Sequence, residues 1–291
     1  MYQSSFMFGM ILQTVPLKMV KPYFQKDSFT LYQGDSLKIL PQLPAEPFDM
    51  IFADPPYRLS NGGFTSESGR VVLVNKGGWD KSEGTQKDFE FHRKWIKECR
   101  RLLKSDGTIW LSGTYHNIYK CGYALELEGF HVLNEIAWYK PKSADNISGR
   151  MFKAQHESLI WAKKDKNAKH KFSYDYLKKT DWGQDFLKKP NEQMGSVWAI
   201  HAPSLIERKF GKHLTQKPQE LLKRIILSCT RKRDVILDPF CGSGTTGIAA
   251  CLYGRSFVGV DSEKKYLDLT KERYINTPNG VKFIQHDRVH R

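Results

Sequence analysis

Asp54, Pro55, Pro56 and Tyr57 follow directly on the apolar run Ile51, Phe52, Ala53. The Asp54 carboxylate can accept a hydrogen bond from an amino group, and the Pro55 carbonyl can accept a second. Two consecutive prolines fix the backbone and hold both acceptors in place. Tyr57 adds a ring face on which a base can stack. Such a site suits the exocyclic amine of an extruded base. Paired acceptors would draw its nitrogen toward pyramidal geometry and stabilise the charge that develops as it attacks an electrophilic methyl in line. That chemistry requires neither a cysteine nucleophile nor a metal. The plainer explanation is a strand-ending turn, because proline cannot continue a ladder.

A second constellation, "LDPFCGSGTTG", joins a buried strand to a helix through small residues. Gly242, Gly244 and Gly247 match the spacing of a dinucleotide fingerprint, and Asp261 ends the next strand. Backbone can approach a ligand at such glycines, and the helix start offers N–H groups to an anion. Asp261 can accept hydrogen bonds from both hydroxyls of a ribose. A tight turn with an ordinary surface aspartate would give the same letters. Asp238, just before the glycines, separates two ligand classes: it would repel a diphosphate and attract an ammonium or sulfonium.

These residues need a scaffold that brings two strand ends together. Strand patterns at 29–35, 48–54, 108–113, 134–140, 157–164, 234–240 and 256–261 alternate with helical ones, notably from about Phe89 to Lys104 and over 218–230. The alternation predicts an α/β fold: a Rossmann-like, mixed but mainly parallel sheet with helices on both faces. Residues 58 to 86 read as a long functional loop. From about 163 the composition shifts to "KKDKNAKHKFSYDYLKK", seven lysines interleaved with Phe172, Tyr174 and Tyr176. That segment reads as a mostly irregular inserted subdomain; a solvated lysine-rich loop is the bland alternative. The predicted organisation is an N-terminal extension (1–28), two α/β halves (29–164 and 213–276) with the lysine-rich insert (165–212) between them, and a tail (277–291).

The chain has 291 residues with 46 Lys+Arg against 31 Asp+Glu, a net charge of +15. So large an excess points to a polyanionic partner such as nucleic acid. Five scattered cysteines form no C-x-x-C pair, which fits a reducing cytoplasm and suggests neither a disulfide framework nor a zinc knuckle. "FMFGMIL" near the N-terminus is too short to span a bilayer, so no membrane association is expected.

"DPPY" at 54–57 and "DPFCGSGTT" at 238–246 resemble motifs IV and I of S-adenosylmethionine-dependent DNA amino-methyltransferases. Their order, with the basic insert between them, resembles the β group, and the likeness runs from about 29 to 276. "HLTQKP" at 213–218 is similar to motif X of that family, usually H-P-T-Q-K-P, with Leu214 as the departure. The resemblance implies S-adenosyl-L-methionine as cofactor, held by Asp35, Lys217, Asp238, Phe240, Gly242, Ser243, Gly244, Thr245 and Asp261. Lys217 and the glycine turn would face the methionine carboxylate, and Asp35 the adenine. It implies Asp54, Pro55, Pro56 and Tyr57 as catalytic residues, no metal, and N6 of adenine as acceptor rather than N4 of cytosine, where a serine commonly replaces the aspartate. "LSNGG…GGWDKS" and "HNIYKCGYALELEGF" resemble the second adenine methyltransferase of GATC restriction systems. Expected partners are DNA, flipped or single-stranded, a second copy of the chain, and a cognate restriction endonuclease. Asn117, in "HNIY", and Trp79 with Asp80 are read as packing or capping residues.

Three other functions compete. A nicotinamide-dependent oxidoreductase would use the glycines but leaves Asp54–Tyr57, Asp238 and the charge unexplained. A non-catalytic nucleic-acid module would have no need of Asp–Pro–Pro–Tyr. RNA methylation would use the same site, since nothing in the insert reveals a test for the 2′-hydroxyl.

Overall fold

A computed structural model describes residues 20–58, 64–67, 70–73, 80–143, 149–183, 185–211 and 213–277. Eleven strands and seven α-helices occur among them, in the order β1 (Phe24–Lys26), β2 (Phe29–Gln33), α1 (Ser36–Ile39), β3 (Phe48–Ala53), β4 (Phe64–Glu67), β5 (Arg70–Leu73), α2 (Thr85–Leu102), β6 (Leu103–Gly113), α3 (Ile118–Leu127), β7 (His131–Tyr139), β8 (His156–Lys163), α4 (Tyr174–Lys179), β9 (Val197–Ala199), α5 (Gln219–Cys229), β10 (Val235–Asp238), α6 (Thr245–Leu252), β11 (Ser256–Asp261) and α7 (Lys264–Ile275).

Nine strands form one sheet in the order β1-β2-β11-β10-β3-β6-β8-β7-β9. The run from β2 to β6 is parallel, β8 is antiparallel to both its neighbours, and β9 is parallel to β7. The sheet is therefore mixed and mainly parallel, as its alternating pattern predicts. Every residue of β3 is buried, as a central strand covered on both faces requires. Met50 and Phe52 join the core beneath α5, α6 and α7, while Ile51 and Ala53 join the core beneath α1, α2 and α3. This period-two division recurs in β8, where Leu159 and Trp161 face one layer and Ile160 and Ala162 the other.

The helices carry matching stripes. In α5, Leu221, Leu222, Ile225 and Ile226 are completely buried. At roughly 1.5–3 kcal/mol per side chain, that burial is what seats the helix.

Several boundaries differ from the pattern reading. The helix read from Phe89 to Lys104 is α2 and ends at Leu102, with β6 beginning at once; "SDG" lies inside that strand rather than after the helix. A register shift between Phe48 and Met50 accommodates the extra β6 residues before Thr108. Within 58–86 the chain forms an antiparallel ribbon, Phe64 opposite Leu73, instead of loop alone. The N-terminal extension is shorter than 1–28, because β1 already pairs with β2.

The lysine-rich segment departs furthest. It is built into the main body: β9 adds an edge strand beside β7, and Leu177, Trp182 and Trp198 are buried. Asp185 makes an ion pair with Arg224 of α5 at 2.6 Å, the side chains 1% and 0% exposed. The guanidinium also lies 4.7 Å from the Trp182 ring and 5.1 Å from that of Trp198. The lysine count masks an apolar inner side.

Most of the C-terminal tail, 278–291, and the N-terminal stretch with "FMFGMIL" lie outside the described residues. The five cysteines are free thiols. Among the described residues no helix is long and apolar enough to cross a membrane.

Candidate active site

The chain leaves β3 to one side through α2 and leaves β10 to the other through α6, while the two strands lie side by side at the sheet centre. Their carboxyl ends form the crevice where an open α/β sheet binds ligands. Asp54 follows β3 and Asp238 ends β10. Both line a cavity of about 290 Å³, together with Pro55, Pro56, Tyr57, Asp35, Lys217, Phe240, Gly242, Ser243, Thr245 and Asp261. Of the residues expected from sequence, Gly244 alone does not line it. Its φ of 72° and an added Cβ 2.3 Å from Thr270 Cγ2 show that the turn and helix packing, not ligand contact, demand glycine there. Gly242, φ 48°, would bring a Cβ within 3.1 Å of the His213 ring.

The Asp238 side of the cavity is a set of oriented acceptors. Asp238 accepts from the Phe240 N–H (3.0 Å) and the Thr246 hydroxyl (2.6 Å). Asp261 accepts from the Gly242 N–H and the Glu263 N–H, both at 2.8 Å. Asp35 caps α1 by accepting from the Leu37 N–H at 3.0 Å. The glycine turn is pinned from α7: Thr270 donates to the Gly242 carbonyl (2.8 Å), and Arg273 donates to the Ser243 carbonyl and to the Thr245 hydroxyl (3.1 Å). Phe240 stands edge-on to Trp95 at 5.3 Å.

Asp238 is 2% exposed, and both donors just named are uncharged. Burial pushes its carboxyl up to about 7. A ligand carrying a cation would relieve that cost, so the donor set fits a sulfonium- and ammonium-bearing nucleoside better than a diphosphate.

The Asp54 side of the cavity is a knot of charges. Tyr57 donates to Asp54 Oδ1 at 2.8 Å and lies 3.1 Å from Glu157 Oε2 and 3.4 Å from Ser112 Oγ. Lys217 Nζ donates to Asp54 Oδ2, lies 3.2 Å from the Tyr57 hydroxyl, and is 3.6 Å from Glu157 Oε2. Lys140 is ion-paired with Glu157 Oε1. Burial pushes Asp54 above its ordinary value, and Lys217 opposes the shift.

The DNA methylase family (N6_N4_Mtase) matches residues 48–272, which include both strand ends. The chain belongs to the DNA methylase family. Type II methyltransferase M2.DpnII of Streptococcus pneumoniae is 45% identical to the methylase over 274 residues, covering 94% of this chain and 97% of that one. Type II methyltransferase M2.LlaDCHI of Lactococcus lactis subsp. cremoris is 47% identical over 256 residues, covering 88% and 92%. Among solved structures, the M1.HpyAVI–SAM complex matches with a TM-score of 0.61 and 27% identity, over 85% of this chain and 99% of that one.

Lys217, expected against the methionine carboxylate, lines the cavity and is ion-paired with Asp54, since a buried ammonium needs carboxylates at hand. Glu157 and Lys140 were not foreseen. Asp80 accepts from the Arg58 N–H at 2.7 Å, and Asn117 accepts from the Thr114 N–H at 3.0 Å, so both side chains tie loop backbone rather than cap a helix. Trp79 lies outside the described residues.

Asp238 supplies a pH prediction. Its folded-state pKa, pushed up to about 7, lies above the ordinary range of an aspartate, so native Asp238 is favoured at low pH and carries a growing penalty as pH rises to about 7. Asp238→Asn of the ligand-free methylase should therefore raise Tm at pH 8 by more than at pH 4. Thermal unfolding at both pH values checks this; an equal or larger gain at pH 4 would contradict it.

Proposed function

We propose that this DNA methylase transfers a methyl group from S-adenosyl-L-methionine to N6 of adenine in DNA, within GATC sites of a restriction–modification system. The observation that carries the reading is the placement of Asp54, in Asp–Pro–Pro–Tyr, across the sheet centre from the buried, cation-seeking Asp238 in one cavity. S-adenosylmethionine supplies an electrophilic methyl on a sulfonium.

The remaining chemistry belongs to the chain. Asp238 offers its carboxylate to the cationic methionine portion, Asp261 to the ribose hydroxyls, and Asp35 to the adenine edge. Phe240 contributes an apolar wall. Asp54 accepts one hydrogen of the substrate amine and the Pro55 carbonyl the other, so that the nitrogen lone pair turns toward the methyl. The nitrogen–methyl bond forms as the sulfur–methyl bond breaks, and Asp54 is placed to take the proton the amine must lose. Tyr57 has its hydroxyl anchored on Asp54, which fixes its ring beside the incoming base.

Residues 165–212 would meet the DNA, their lysines contacting phosphates, while the base is flipped from the helix into the cavity. The names of the Type II relatives support a place beside a cognate endonuclease. Cytoplasmic action and a homodimer belong to the same reading.

The test is transfer of labelled methyl from S-adenosylmethionine to unmethylated duplexes that contain or lack GATC, with the product base identified after digestion. N6-methyladenine only in the GATC duplex is the expected result. Label in N4-methylcytosine would overturn the base, label in both duplexes would overturn the site, and label in RNA but not DNA would overturn the substrate.

A further inference from the structure

We propose that Glu157 is a positioning residue for methyl transfer: it competes with Asp54 for Lys217 and the Tyr57 hydroxyl, which keeps a lone pair of the Asp54 carboxylate available to the substrate amine. The inference rests on the methyl-transfer reading of the cavity and deepens it.

Strand direction brings Glu157 to the site. Because β8 runs opposite to β6, it presents its first residues at the rim where β3 presents its last; Ser158 pairs with Gly113, the last residue of β6. The Glu157 side chain is 12% exposed. Lys140 at the end of β7 holds Oε1, and Oε2 faces Tyr57 and Lys217.

Proton counting gives the role. A tyrosine hydroxyl has one hydrogen; the Tyr57 hydroxyl donates to Asp54 Oδ1 at 2.8 Å, and Glu157 Oε2 competes for it at 3.1 Å. Lys217 is seated on Asp54 Oδ2, with Glu157 Oε2 as its second carboxylate at 3.6 Å. With a neutral side chain at 157, both donors would concentrate on Asp54. Its lone pairs would then be taken and its charge offset, and it would be a poorer acceptor for the amine.

The electrostatics run the same way. Glu157 is itself buried, which alone would raise its pKa, yet Lys217 and Lys140 outweigh burial and hold it at about 2. It stays ionised across the working pH range. Its charge adds to the burial that raises Asp54. The charged or titratable groups facing Asp54 are Tyr57 beyond β3, Glu157 on β8, Lys217 before α5 and Asp238 on β10, with Lys140 behind Glu157.

Glu157→Gln keeps the shape and one acceptor but removes the charge. Its kcat should fall roughly 10- to 100-fold, with cofactor affinity and KM for DNA within about threefold. The acid limb of the kcat–pH profile, where Asp54 ionises, should move to lower pH by about half a unit to one unit. Glu157→Asp should return the limb to its wild-type position. A residue that merely stabilised the fold would lower activity without moving the limb. Wild-type kcat, or a loss with the limb unmoved, would overturn the proposal.

Should the glutamine variant not fold, Lys140→Met reads the same network from the other side. Removing that cation should move the limb to higher pH, and an unmoved limb would count against the role of Glu157. A wild-type protein that binds cofactor and DNA but transfers no methyl would overturn the underlying functional reading. An active wild type with an unaltered variant would overturn only the inference about Glu157.

Discussion

Asp54→Ala is expected to lower kcat by on the order of 10³-fold, about 4 kcal/mol of transition-state stabilisation, while cofactor affinity stays within about threefold. In the proposed mechanism the effect is large because Asp54 is the carboxylate acceptor that the Pro55–Pro56 turn would hold next to the substrate amine. Lys217 would not be stranded by the substitution, since Glu157 lies 3.6 Å away and Thr215 offers its carbonyl at 3.5 Å. The variant should therefore fold and load cofactor. Single-turnover transfer to DNA, with calorimetric cofactor titration in parallel, separates the two effects. A variant within tenfold of wild type would remove Asp54 from the chemistry and leave the two prolines as a structural turn.

The second large effect concerns stability. Asp185→Ala should destabilise the protein by about 3–5 kcal/mol, because it leaves the Arg224 guanidinium buried without its carboxylate. Arg224 is completely buried, and among the described residues its Nε and Nη2 find no hydrogen-bond acceptor. Burial already lowers its pKa, with Asp185 opposing the shift. Denaturant unfolding should show the loss in full for the single variant. The pair Asp185→Leu with Arg224→Leu should recover much of it, because an apolar pair has no charge to strand. A single-variant loss below about 1 kcal/mol would mean that the two indole rings alone suffice for the guanidinium.

The parts of the site that were legible in the sequence are those written in short contiguous stretches. An apolar strand ending at an acid and prolines, or at an acid and glycines, records both a structure and its chemistry within ten residues. Asp54, Asp238 and Asp261 could be placed at strand ends for that reason, and the sheet brings all three to one cavity. Glu157 was not legible. It stands a hundred residues from Tyr57, and only the reversed direction of β8 beside β6 makes them neighbours. Lys217 was visible as a residue, but its partner depends on which carboxylates surround it. β9 is three residues long, too short for a period of two to register. In residues 165–212 the abundance of lysine obscured the inward-facing Leu177, Trp182 and Trp198, since composition averages over faces that packing separates. The boundary between α2 and β6 was hidden because Leu102 and Leu103 are both apolar, and the change from helical to extended backbone falls between them.

The union of β9 with β7 and of Asp185 with Arg224 bears on how target specificity could be re-engineered. A recognition segment hung on two hinges could be exchanged between relatives like a cassette. Residues 165–212, proposed to meet the DNA, instead supply the last strand of the sheet and the counterion of a buried arginine on α5. A graft of foreign residues 165–212 would have to reproduce both attachments before it read a new sequence. Retargeting by substitutions on the outward-facing residues, with β9 and Asp185 retained, is the route this architecture leaves open.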